Sequence, residues 1–283
     1  MQKQSVFKKL LAIGLLVSLV LAVPVAPIRA EEEKPIGDFT AAALSQYVWR
    51  GYELSRNSVV IQPSMTVAYK GFSANLWGNL DTQPYSPAGA TYTGTWNETD
   101  LTLSYGKTLG LFNVGGGYIY YGLASPNKDA ADPNDSQEIF ATVSLNTMLT
   151  PTLTVYKEID HYRNWYFLLG VSHVIGLNDA VSLKLAASAG YLLSTDAETY
   201  AKYDSDALAT TDKFNSFHDG MMSASLPIKV SNYVTLTPTL SYIFPLTGDA
   251  KDEMKGKGLK GTAAPSERDG SYLVGGMLVS FSF

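Results

Sequence analysis

From Phe39 to Phe283 apolar and polar residues alternate with a period of two, and this repeated feature confines the chain to β-structure. The longest instance puts Val234, Leu236, Pro238, Leu240, Tyr242 and Phe244 on one face, against Thr235, Thr237, Thr239 and Ser241 on the other. Leu101, Leu103 and Tyr105 stand in the same way against Asp100, Thr102 and Ser104. So do Ile139, Ala141 and Val143 against Glu138, Thr142 and Ser144, with Phe140 out of phase. Successive side chains of a strand point to opposite faces, so every such stretch has an apolar side and a side of small polar residues.

Cutting at turn signals gives twelve strands, near 39–52, 58–70, 72–81, 95–108, 112–122, 137–149, 152–160, 163–175, 180–192, 214–230, 232–244 and 271–283. Short turns such as Lys70-Gly71 and Leu109-Gly110-Leu111 alternate with longer links at 53–57, 82–94, 123–136, 193–213 and 245–270. The link at His161-Tyr162 breaks this rule by being short on the long-loop side. The expectation is an all-β chain: a transmembrane antiparallel up-and-down β-barrel of about twelve strands, with both termini on the side of the short turns. A soluble sandwich would also alternate. It would not explain aromatic residues gathered at strand ends, such as Tyr47, Trp49, Trp165 and Tyr242, where a barrel carries its interfacial girdles. The chain stops on Val279, Phe281 and Phe283, which share one face. That ending resembles the terminal aromatic strand read by the outer-membrane barrel-assembly machinery.

Charged residues make up 17% of the chain, below the roughly 25% of soluble domains. Only Leu10 to Val25 is a long apolar run, so a helical membrane protein, which needs repeated runs of about 20, is excluded. No cysteine is present, which removes disulfides and thiol chemistry. Lys3, Lys8 and Lys9 before that run, and Ala-Pro-Ile-Arg-Ala after it, read as a secretory signal peptide over residues 1–30. A periplasmic lead, 31–38, and an outer-membrane barrel, 39–283, follow. Without the four basic residues of the leader, 17 basic residues face 26 acidic ones, a net charge near −9. Such a charge argues against nucleic acid; the partners expected of the barrel are outer-membrane lipid and small hydrophilic solutes.

The first hairpin carries a family pattern. Ser45-Gln46-Tyr47-Val48-Trp49-Arg50-Gly51-Tyr52 is followed by Pro63, Gly71-Phe72 and Trp77-Gly78-Asn79. This resembles the TorF-type family of bacterial outer-membrane porins over about forty residues. The resemblance implies membrane, barrel and transport, with no catalytic motif to carry over.

If the apolar parity faces lipid, the opposite parity faces the lumen and places Arg50, Lys70, Asp100, Glu138, Glu158, Lys184, Asp219 and Lys229 there. Rings of charge in that position bias which ions pass. Cross-lumen ion pairs would instead seal the barrel, and Arg50 fits either role. The functional expectation is a passive pore for small hydrophilic solutes, the alternatives being a closed barrel with a structural or surface-binding role and a lipid-active enzyme. The enzyme alternative rests on Ser216 and His218, two apart on one strand. No catalytic group, cofactor motif or metal-ligand spacing is expected. The stretch from Asp249 to Asp269 balances five basic against five acidic residues, as a solvated loop able to fold inward would. The acidic link 193–213 reads as a hydrated face.

Overall fold

The computed structural model describes residues 34–86, 91–127, 129–259 and 268–283, so the expected leader lies outside the described residues. Its strands run β1 (Ile36–Leu44), β2 (Val48–Trp49), β3 (Tyr52–Glu53), β4 (Val60–Tyr69), β5 (Phe72–Asp81), β6 (Thr95–Leu109), β7 (Phe112–Leu123), β8 (Ser136–Leu145) and β9 (Thr152–Glu158). They continue with β10 (Asn164–Gly176), β11 (Ser182–Ser194), β12 (Ala201–Tyr203), β13 (Ala209–Lys213), β14 (Asn215–Ser225), β15 (Ile228–Lys229), β16 (Val234–Pro245) and β17 (Tyr272–Ser282). One helix, α1 (Gly248–Lys257), precedes β17.

Twelve of these strands form the wall. Each pairs antiparallel with its neighbours in the order β1, β4 to β11 and β14, then β16 and β17. The barrel closes where β17 returns to β1, with Phe39 opposite Phe281 and Ala42 opposite Leu278. Backbone bonds between Gly37 and Phe283 finish the seam, at 2.7 and 3.0 Å. Closure leaves no edge strand, as a β-structure spanning hydrocarbon requires.

Alternation resolves as the sequence reads it. Leu101, Leu103 and Tyr105 face out, as do Ile139, Leu185, Leu240, Leu273 and Met277. Thr102, Glu138, Thr142, Thr237 and Ser241 face in and are buried. Phe140 also faces in, which accounts for its phase, and its ring lies 5.8 Å from that of Tyr156. The outer face is thus an apolar band, and the lumen wall is polar.

Five expectations need correction. The first strand ends at Leu44 instead of continuing to 52, and residues 45–59 leave the wall to carry β2 and β3. The strand expected over 214–230 ends at Ser225, with Ile228–Lys229 as a separate short strand on β16. Residues 248–257, expected to be loop, are helical, and the acidic link 193–213 folds partly as the β12–β13 hairpin. Lys70 is not in the lumen: it sits in the β4–β5 turn at φ 49°, exposed, with its ammonium 5.3 Å from the Tyr69 ring centroid.

Candidate functional site

Two segments that are not wall strands occupy the long-loop half of the lumen. The first is the β2–β3 hairpin. Trp49 pairs with Tyr52 across the turn Arg50-Gly51, whose φ values are 46° and 82°. Two consecutive positive φ angles make this the turn type that suits a tight hairpin. Gly51 adopts it freely, whereas Arg50 does so at a cost recovered by its contacts. A Cβ on Gly51 would also meet Met254 of α1.

The turn delivers the Arg50 guanidinium into the lumen, where it is buried. Nη1 and Nη2 donate to the two oxygens of Glu138 on β8, at 2.8 and 2.7 Å. The rings of Trp49, Tyr156 and Tyr166 enclose the guanidinium, with centroids 4.5, 4.6 and 4.3 Å from Cζ. Tyr121 donates a further bond to Glu138, at 2.8 Å. A bidentate, stacked arginine is the arrangement in which this residue binds a buried carboxylate best.

The second segment is α1. Thr247 caps its start by accepting from the Ala250 amide at 3.1 Å, and Arg268 donates to the carbonyls of Lys255 and Gly256 at its end. Ala250, Glu253 and Met254 face the lumen and are fully buried. The Leu259 amide donates to the Glu53 carbonyl at 2.9 Å, joining the two segments. Tyr52 of the hairpin donates to Glu253 at 2.9 Å.

His218 on β14 ties α1 to the wall. Its Nε2 lies 2.8 Å from Glu253 Oε2 and its Nδ1 3.1 Å from Asp219 Oδ1, while Tyr166 donates to that same oxygen at 2.8 Å. Strict alternation would send His218 and Asp219 to opposite faces. Instead β11 and β14 shift register, so that the two residues together stand opposite Gly190. This bulge turns both side chains inward. Gly190 leaves the room they need, because a Cβ there would strike the Tyr166 hydroxyl and the Asp219 carboxylate.

Rings complete the plug. Tyr52, Tyr156, Tyr166, Tyr200 and Phe214 form one buried cluster with Ile119, Phe140 and Ala250. Tyr200 lies in the loop before β12, and burial, reinforced by the Glu253 charge, raises its phenol well above the ordinary range. Outside, Lys202 of β12 pairs with Asp249 of α1 at 2.9 Å, and this hydrogen bond raises the ammonium above its usual range. In the terminal half the lumen wall is different. Ser104, Gly115, Gly117, Ala186 and Ser188 are small and only half-buried.

Of the eight expected lumen residues, Arg50, Asp100, Glu138, Glu158 and Asp219 are buried on the inner side. Arg50 and Glu138 form one pair, and Asp219 joins it through Tyr166. Glu158 acts locally, accepting the amides of His161, Tyr162 and Arg163 at 3.0, 2.9 and 2.7 Å, and so holds the β9–β10 loop. One oxygen of Asp100 is buried without a hydrogen-bond partner. Lys184 is half-buried at an inward position of β11, and Lys229 lies in short β15 at the terminal end, away from the plug. Ser216 and His218 do not pair, because carboxylates take both imidazole nitrogens and the Ser216 hydroxyl lies 3.5 Å from that of Thr247. Among the described residues no cluster of three or more His, Cys, Asp or Glu could hold a metal ion.

Sequence reasoning placed Tyr47, Trp49, Tyr52 and Tyr166 in the outer aromatic girdle, whereas Tyr47, Tyr52 and Tyr166 are buried inside and Trp49 stacks on the buried Arg50; it did not single out Glu253. A signal for α1 was present: Thr247 as cap, Asp249 in the first turn, and Lys255 and Lys257 in the last. Its inward face carries a glutamate, so no apolar stripe announced it.

No protein-family model and no curated protein matches the chain. Among solved structures it is similar to the NanC porin, at 11% identity and TM-score 0.48, over 87% of this chain and 98% of that one. It is also similar to LpxR from Salmonella typhimurium, at 8% identity and TM-score 0.46, over 88% and 99% of the two chains. A third likeness is to OmpT of Vibrio cholerae, at 8% identity and TM-score 0.39, over 88% and 97%. Such distant likenesses transfer no activity, and the twelve-strand closure stands on this chain's own strand pairing.

Proposed function

We propose that the chain is an exported, passive outer-membrane channel of the TorF-type porin class, closed in this conformation by a displaceable plug. One observation carries the reading: the lumen is blocked by the β2–β3 hairpin and α1, while the wall around them keeps a polar inner face. That polar wall is the surface a hydrated solute would meet once the plug withdraws. Small residues, Ser104, Gly115, Ala186 and Ser188 among them, line the inner wall away from the plug. Small hydrophilic solutes or ions would pass when the hairpin or α1 withdraws. No bond-making step is assigned, because His218 is committed to two carboxylates and Ser216 has no base. The C-terminal strand, ending in Phe283, would serve assembly, and the apolar band would meet outer-membrane lipid.

The test is single-channel recording on the refolded mature chain beside the double variant Arg50→Gln/Glu138→Gln. The wild type should give infrequent discrete steps, and the variant should open more often, with altered ion selectivity. Folded, inserted protein that is silent in both forms would overturn the channel reading in favour of a closed structural barrel.

A further inference from the structure

The contact between α1 and the wall depends on a proton. Carboxylates only accept hydrogen bonds, so an imidazole with a carboxylate oxygen at each nitrogen must donate from both, which requires the charged ring. His218 is in that position, fully buried, with Asp219 of its own strand at Nδ1 and Glu253 of α1 at Nε2. The surrounding groups also come from separate elements. Tyr52 of the hairpin donates to the other oxygen of Glu253, and Tyr166 of β10 donates to Asp219. Arg50 of the hairpin stacks on Tyr166 and is already paired with Glu138 of β8. Lys257 of α1 lies over Tyr200 and donates to the Thr199 carbonyl at 2.7 Å, and Phe214 presents its ring to His218 edge to face.

We infer that His218 is a proton-dependent latch, which fastens the plug helix to the barrel wall while charged and releases it at alkaline pH. The inference deepens the channel reading and rests on its view of α1 and the hairpin as a displaceable plug. Without the proton, one imidazole nitrogen becomes an acceptor facing a carboxylate. Asp219 and Glu253 then repel each other with no positive charge between them, and an unmade contact of this kind is costly in a buried site. Withdrawing α1 carries Glu253 into water and removes the conflict. The sign follows from proton counting: the latched state holds one proton more than the open state, so raising the pH favours opening. A single linked proton limits the response to about tenfold in the open-to-closed ratio per pH unit.

The absence of cysteine allows one thiol to report on α1. Ala250→Cys, at a fully buried position of α1, would be labelled in the folded mature chain from neutral to alkaline pH. Its rate would be divided by that of Ser205→Cys, an exposed position, which cancels the titration of the thiol itself. The ratio should rise steeply with pH, by no more than about tenfold per unit. It should lose that dependence in the His218→Gln background and, should that variant fail to fold, in Glu253→Gln. A flat ratio with His218 present, or the same rise in both substituted backgrounds, would overturn the latch. Conductance recorded in parallel separates the two claims: a pH-dependent label in a barrel that never conducts supports the latch and sinks the channel.

Discussion

Arg50 shows how much a single residue can organise. It accepts a left-handed backbone, and in return its guanidinium gains a bidentate carboxylate and three aromatic faces. Removing one partner of such a pair leaves a buried charge uncompensated. Glu138→Ala should therefore destabilise the barrel by about 3–5 kcal/mol, and the double variant Arg50→Gln/Glu138→Gln by much less. Equilibrium unfolding in detergent measures both. Gly190 is the second critical position, because it makes room for an inward-turned pair on the neighbouring strand. Gly190→Ala should cost about 1–3 kcal/mol by overpacking, and should weaken the closed state along with the fold. Parity placed Arg50 in the lumen on a strand that in fact ends at Leu44, so its inward position comes from the hairpin turn and not from the wall. Its partner was not legible, since nothing local relates position 50 to position 138. His218 was hidden for another reason: a bulge opposite Gly190 breaks the parity that strand reading depends on.

At the scale of elements, alternation located all twelve wall strands, because one face meets an apolar surrounding and the other does not. It failed where chain leaves the wall. Residues 45–52 keep an alternating, aromatic-rich pattern, so they read as a continuation of β1, although the Arg50-Gly51 turn folds them back into the lumen. Helix α1 reads as loop because its buried face consists of Ala250, Glu253 and Met254, too few and too polar to produce a helical stripe. Its placement depends on the hairpin. Gly51→Ala, strained at φ 82° and crowded against Met254, should cost at least about 1–2 kcal/mol from the backbone alone and loosen α1. Hydrogen exchange should show this as faster exchange in α1 with the wall strands unchanged. Equal acceleration everywhere would mean that the plug and the wall are one cooperative unit.

For the whole molecule, two surfaces have opposite requirements. The outer band is apolar and needs lipid, so Leu101→Arg, near the middle of the longest wall strand, should cost about 2–4 kcal/mol when folding is measured into bilayers. The inner surface is polar and half-filled by segments that the barrel's closure does not need. The hairpin can be removed with the wall pairing kept when Glu138→Gln also removes the carboxylate that Arg50 would leave unpaired, because the Leu54 amide already bonds the Tyr47 carbonyl at 2.9 Å and a two-residue turn can join those residues. Replacing residues 48–53 with Asn-Gly in the Glu138→Gln background and recording single-channel currents from the inserted barrel tests the plugged channel most directly. Steady open steps, larger or longer-lived than any in the wild type, are the expected result. A shortened barrel that folds, inserts and stays silent, also after Glu253→Gln frees α1 from His218, would contradict it, because neither plug segment would then account for the closure.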